Sequence, residues 1–278
     1  MKFGVDMATV GVYADPRLLA ELAAEAEQAG WDGFFIWDVV YAHEAPREPV
    51  VDPWVTLAAI GMKTERMRIG ALLTPLARRR PWQVARQAAT LDHLCRGRLI
   101  FGAALGYQPL DFVPFGESYD PRVRAEKLDE GLAILEGLWT GEPFTFAGKH
   151  YQLEDVILRP PPLQSPRIPV WVAGGWPRRK PFRRAARWDG VYVMTVNQET
   201  EEMLTPEEVE AIVATVQEQR ERPDPFDVAV NVALPADPLE AVEAVRPYQE
   251  AGATWCVTLS PATVAAYRDR IRSGPPQL

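Results

Sequence analysis

Few residues in this sequence are of the kinds that do chemistry unaided. Among 278 residues there are three histidines, His43, His93 and His150, and two cysteines, Cys95 and Cys256. Asp38 closes the apolar run GFFIWD, where a carboxylate either caps the chain or faces a reacting group. Of the basic runs, Arg78-Arg79-Arg80 follows MRIGALLTPLA, and Arg178-Arg179-Lys180 follows Gly174-Gly175 across Trp176-Pro177. Guanidinium groups bind phosphate well, so at least one member of the second run reads as a phosphate ligand, the alternative being a merely exposed helix start. The first either attracts an anion or is a solvated loop. No cysteine–histidine spacing resembles a zinc site, and no carboxylate pair suits glycoside hydrolysis. Such a set is poorly equipped to react by itself. It suits a protein that holds a reactive cofactor.

The elements that position these residues alternate regularly. Residues 67–106 read as strand, loop, helix, strand. Met67 to Leu73 is an unbroken apolar run, as expected of a strand covered on both faces, and Thr74-Pro75 should stop it. A helix starts near Pro81; Val84, Ala88, Leu91 and Cys95 share one face, and Gly97 ends it. Leu99 to Leu105 is the next strand. The same rhythm gives strands at Lys2–Met7, Gly33–Asp38, Pro169–Ala173, Gly190–Met194, Asp227–Leu234 and Thr254–Leu259. Helices are expected over 15–29, 52–63, 122–139, 177–188, 205–222, 237–252 and 260–272. Residues 141–168 break the rhythm: GEPFTFAGKHYQL predicts a hairpin at Ala147-Gly148, read as an insertion, either a packing arm or a lid.

Eight strands alternating with eight helices predict a closed (β/α)8 TIM barrel in a single domain, residues 1–278. The rival open sheet lacks a G-x-G-x-x-G run after strand one. Barrels of this kind carry their sites at the C-terminal ends of the strands. That rule selects Asp38, Leu72, Leu73, Thr74, Gly106, Tyr107, Gly174, Gly175, Met194 to Asn197, Leu234 and Ser260. The formal net charge of −8 argues against general nucleic-acid binding. No apolar run approaches the ~20 residues that span a bilayer. With no apolar leader at the N-terminus and two cysteines placed in core elements, a cytoplasmic protein with reduced thiols is expected.

The stretches AGWDGFFIWD, TERMRIGALLTPLARRRPWQVARQAATLDHLCRGRLIFGAALG, RVRAEKLDEGLAILEGLW and PVWVAGGWPRRKPFRRAARWDGVYV together resemble the luciferase-like flavin-dependent oxidoreductases. The resemblance implies the same barrel, coenzyme F420 or FMN as cofactor, a small-molecule substrate, and a homodimer or larger homo-oligomer. It also implies dehydrogenase or monooxygenase chemistry. Many F420 members have Asp-His after strand two; here the pair is Asp38-Val39, so the acid matches and the histidine does not. His43, in the following loop, could take that proton-donating place or be a solvated residue. Leu72-Leu73-Thr74 matches a bulge, often with a cis non-proline peptide, that supports the ring. Tyr107 stands where some sugar-phosphate dehydrogenase members carry glutamate. Asp38, His43 and Tyr107 are therefore the catalytic candidates. Leu72, Leu73, Thr74, Gly106, Gly174, Gly175, Trp176, Arg178 and Arg179 join Asp38 and Tyr107 as cofactor-binding candidates. A cofactor-binding carrier or sensor without turnover, and an unrelated barrel hydrolase, are the alternatives.

Overall fold

The structure, a computed structural model, describes residues 1–40, 48–195, 203–259 and 263–278. The strands are β1 (Lys2–Met7), β2 (Gly33–Ile36), β3 (Arg68–Ala71), β4 (Thr74–Pro75), β5 (Phe101–Ala104), β6 (Phe144–Ala147), β7 (Gln152–Val156), β8 (Val170–Trp176), β9 (Gly190–Thr195), β10 (Asp227–Asn231) and β11 (Trp255–Leu259). The helices are α1 (Pro16–Gln28), α2 (Pro53–Lys63), α3 (Pro81–Leu94), α4 (Pro121–Leu138), α5 (Arg179–Ala185), α6 (Pro206–Gln217), α7 (Pro238–Glu250) and α8 (Val264–Arg272). Nine strands form one sheet in the order β3-β2-β1-β11-β10-β9-β8-β5-β4, paired in parallel throughout.

The two ends of that order meet. Ile69 bridges Leu99 in parallel; its N–H donates to the Arg98 carbonyl at 3.1 Å and its carbonyl accepts from Ile100 N–H at 2.9 Å. β4 resumes the path of β3 after a cis Leu72-Leu73 peptide. The sheet is therefore the expected eight-fold barrel, with one of its staves in two pieces.

Helix starts are written locally. Aspartate followed by proline opens α1, α2, α4 and α7, with the carboxylate accepting from N–H groups of the first turn. Aspartate satisfies donors that have no partner within the helix, and proline at the first helical position loses nothing by lacking one. α6 begins with a capping box between Thr205 and Glu208.

Side chains alternate between the barrel interior and the helical layer. The larger core lies between sheet and helices. The interior holds Phe35, Leu72, Ile100, Trp171, Tyr192, Ala229, Trp255 and Val257. Trp171 and Trp255 stand edge-to-face at 5.2 Å, with Phe35 at 5.6 Å from Trp171 and 5.9 Å from Trp255. These three rings fill the middle of the barrel, which is a packed core and not a pore.

Several expected boundaries move. Thr74-Pro75 does not stop the sheet; it pairs with Ala103 and Ala104. β8 runs on through Gly174-Gly175 to Trp176 because β9 pairs with it along that whole length. β10 ends at Asn231, not Leu234, α5 is shorter than expected and α6 ends at Gln217. α8 starts at Val264 under a Thr263 cap; Ser260, Val196 and Asn197 lie outside the described residues. The hairpin forms as β6–β7. Glu130 of α4 accepts from the N–H groups of Lys149, His150 and Tyr151 at 2.8 to 3.0 Å, which makes it an arm packed along α4. Cys95 and Cys256 are buried and unpaired, and burial pushes the Cys256 thiol up to about 12. Among the described residues no helix is long and apolar enough to cross a membrane.

Candidate active site

Parallel strands in a closed ring put all their C-terminal ends on one rim, and the ends of β2, β4, β5 and β8 carry most of the expected site residues. Asp38 lies two residues past β2 with its side chain fully buried. Arg78 Nη2 donates to Asp38 Oδ1 at 2.9 Å and to the Asp38 carbonyl at 2.7 Å; Arg79 Nη2 donates to the same Oδ1 at 2.7 Å. The Arg78 side chain is 6% exposed and that of Arg79 17%. Arg78 and Arg79 are therefore not a solvated run: they turn back onto Asp38, because a buried carboxylate needs compensation that water cannot supply, and two guanidinium charges against one carboxylate leave the cluster net positive. Arg80 is exposed. Asp38 Oδ2 has no partner among the described residues.

Leu72 fills the barrel interior just under the rim, with Leu73 packed on it. Thr74 is fully buried, and its Oγ1 has no partner among the described residues. Gly106 has φ +89°, and a Cβ there would sit 2.4 Å from the Phe112 ring; only glycine fits both the conformation and the space. Its carbonyl accepts from Arg124 Nη1 at 2.7 Å. The Arg124 guanidinium lies over the Tyr119 ring at 3.9 Å, and the Tyr119 hydroxyl donates to the Tyr107 carbonyl. The backbone at 106–107 is thus held from below while the Tyr107 side chain projects, 52% exposed. Val40 N–H donates to Asp111 Oδ1 at 3.2 Å, tying the connection after β2 to the one after β5.

At the end of β8, Gly175 and Trp176 are half-buried and Arg178, Arg179 and Lys180 are exposed. Gly174 has a different reason to be glycine: a Cβ would lie 2.5 Å from Phe182, so it lets α5 pack on the strand. Arg178 caps α5 without a side-chain hydrogen bond. His43 lies outside the described residues. His93 binds the Pro161 carbonyl from an exposed helix face, and His150 binds Glu126; neither reaches the rim.

The structure also brings together a set the sequence reading did not gather. Asp6, on β1, is 2% exposed and points into the barrel above the aromatic plug. Its Oδ2 accepts from Trp37 Nε1 at 3.1 Å and lies 3.4 Å from the Tyr192 hydroxyl, which donates to Asn231 Oδ1 at 2.8 Å. Oδ1 is buried with no hydrogen-bond partner among the described residues. Burial pushes the Asp6 carboxyl up from 3.8 to about 8, against the smaller opposing effects of the Trp37 and Tyr192 hydrogen bonds and the Met7 backbone N–H. Burial, then the nearby Asp6 charge, raises the Tyr192 phenol well above its usual range. The signal was available: in KFGVDM a period of two puts Lys2, Gly4 and Asp6 on one side, and that side faces inward.

Two clefts of about 450 and 310 Å³ open at the opposite end of the barrel. Their polar groups are already engaged. Glu27 accepts from three backbone N–H groups, Asp32 from Phe3 N–H, and Arg68 donates to Gly97 and Gln164. At the C-terminal rim, by contrast, buried oxygens of Asp6, Asp38 and Thr74 have no hydrogen bonds among the described residues.

Over residues 1–274 the sequence matches the family described as luciferase-like monooxygenase. It is 32% identical over 166 residues to the F420-dependent glucose-6-phosphate dehydrogenase of Nakamurella multipartita, a match covering 58% of this chain and 48% of that protein. The chain thus spans about half the length of such relatives. The structure of an F420-dependent secondary alcohol dehydrogenase with an F420-acetone adduct superimposes with a TM-score of 0.82 at 18% identity, covering 99% of this chain and 98% of that one. The oxygenating constituent of 3,6-diketocamphane monooxygenase from Pseudomonas putida, in complex with FMN, does so at 0.67 and 17%, covering 88% and 71%. At these identities the structures share the barrel.

Proposed function

The chain belongs to the luciferase-like monooxygenase family, and from that premise we propose that it is an oxidoreductase binding coenzyme F420 or FMN at the C-terminal mouth of its barrel. One observation carries the reading: the rim and floor hold partnerless buried oxygens beside an apolar wall, while its acids are paired or buried. Such a mouth binds and orients; the coenzyme, when bound, supplies hydride transfer or oxygen activation.

In this reading Leu72 and Leu73 support the ring, with Thr74, Gly106 and Tyr107 beside it. Asp38 acts through Arg78 and Arg79, fixing the rim. Gly175, Trp176, Arg178 and Arg179 receive the anionic tail, because among the described residues the exposed guanidiniums there have no carboxylate partner to displace. F420 is favoured over FMN because the curated relatives are named for it. Tyr107 in place of an acid turns the substrate away from sugar phosphates toward another small organic molecule. The homo-oligomer and the cytoplasmic setting expected from the sequence belong to the same reading.

Titration of the purified protein with F420 and with FMN, followed by absorbance and fluorescence, tests it. Saturable binding of one coenzyme is expected; no binding of either at high micromolar concentration overturns it. A carrier or sensor is the second reading, favoured by Val39 in the histidine's place and by the occupied Asp38. It predicts tight binding with no turnover by any acceptor, so turnover with a single acceptor removes it.

A further inference from the structure

Asp6 is the acid on the floor of the mouth that no other group neutralises. The elements packed around it contribute Trp37 after β2, Tyr192 on β9 and Asn231 on β10, and Tyr267 of α8 donates to its backbone carbonyl at 3.3 Å. None of the groups that set its titration is a cation. Burial therefore keeps the carboxyl protonated at neutral pH.

The Tyr192 hydroxyl has a single hydrogen, which faces Asn231 Oδ1 at 2.8 Å and Asp6 Oδ2 at 3.4 Å. Oδ2 also accepts from Trp37 Nε1 at 3.1 Å, so the carboxyl's own proton falls to Oδ1. Among the described residues Oδ1 has no hydrogen-bond partner. A buried donor or acceptor left so is costly unless something else meets it.

We propose that Asp6, held by Trp37 and the Tyr192–Asn231 pair, is a hydrogen-bonding and proton-holding group of the site, presenting Oδ1 to a neutral acceptor, a carbonyl oxygen or ring nitrogen, of the ligand in the mouth. The proposal rests on the coenzyme reading above for the identity of that ligand, not for the state of the carboxyl. Ionisation of Asp6 places an uncompensated charge against the ligand and weakens binding. Asn at this position keeps the shape and carries no titrating proton.

Infrared difference spectroscopy of wild type against Asp6→Asn, with coenzyme titrations from pH 6 to 9.5, tests this. The expected result is a protonated-carboxyl band in wild type at pH 7, absent in Asp6→Asn and fading near pH 8. Wild-type affinity for F420 or FMN should fall up to about tenfold per pH unit above that midpoint, and Asp6→Asn should show no such fall. A band shift with coenzyme alone assigns the acceptor to the ring; a shift only on adding cyclohexanone assigns it to a substrate carbonyl. Tyr192→Phe, which removes the hydrogen bond that lowers the Asp6 titration, should move the fading to higher pH and serves if Asp6→Asn does not fold. Absence of the band at pH 7, no ligand-induced shift, or matching pH profiles for wild type and Asp6→Asn overturns the proposal. If neither coenzyme binds wild type, the coenzyme reading falls; the carboxyl band and its response to cyclohexanone then decide for or against Asp6.

Discussion

Arg78 grips Asp38 twice with one nitrogen, through the carboxylate at 2.9 Å and through the backbone carbonyl at 2.7 Å. This links the connection after β2 to the one after β4 across 40 residues of sequence. Removing one member of a buried pair leaves the other charge stranded, at a cost of about 3 kcal/mol or more. Asp38→Asn should lose stability of that order in urea unfolding and should bind coenzyme less well. Equal unfolding midpoints for the variant and wild type would show that Arg78 and Arg79 find other partners.

Asp6 makes stability depend on pH with an unusual sign. Its native titration lies near 8 against an ordinary 3.8, so the folded state holds a proton that the unfolded chain has released. Stability attributable to Asp6 should therefore decline as pH rises from about 4 to about 8 and level off above. Thermal unfolding of wild type and Asp6→Asn across that range checks it. A wild-type curve parallel to that of the variant would contradict the burial argument.

Gly106→Ala should be costly for two reasons that act together. The backbone is in the left-handed region and the added methyl meets Phe112. A loss of about 1–3 kcal/mol is expected, with weakened coenzyme binding because the Arg124-bound carbonyl shifts. Gly116→Ala is the control: it shares the positive φ, and open space surrounds it. If the two variants unfold alike, crowding by Phe112 contributes nothing.

Arg178 and Arg179 are exposed, so replacing both by alanine should change stability by less than about 0.5 kcal/mol per residue. Coenzyme affinity should drop roughly tenfold, and its dependence on salt should flatten, because exposed charges act through screened electrostatics. Binding isotherms at low and high ionic strength give the answer. An unchanged salt dependence would send the anionic tail elsewhere on the rim.

The barrel was legible because each of its strands is a short apolar run and several helices open with Asp-Pro, signals carried by neighbours in sequence. Thr74-Pro75 was misread because one residue without a donor does not prevent the two from pairing with Ala103 and Ala104. β8 was expected to end at Ala173, just before Gly174-Gly175, but pairing with β9 carries it on to Trp176 and overrides local preference. The partners of Asp38 were illegible: nothing in Arg78-Arg79-Arg80 says that two of the three turn back to one carboxylate. Asp6 was within reach of a period-two count along β1. What made it notable, though, is burial by Tyr192 and Trp37, which only folding brings near.

The bridge between Ile69 and Leu99 has a consequence for how copies of this chain meet. Every barrel stave finds a neighbour on both flanks, so the ring offers no open border along which a foreign strand could zip. Among the described residues such borders survive only on the two-stranded arm of β6 and β7. Backbone-mediated clumping is thereby confined to one small appendage.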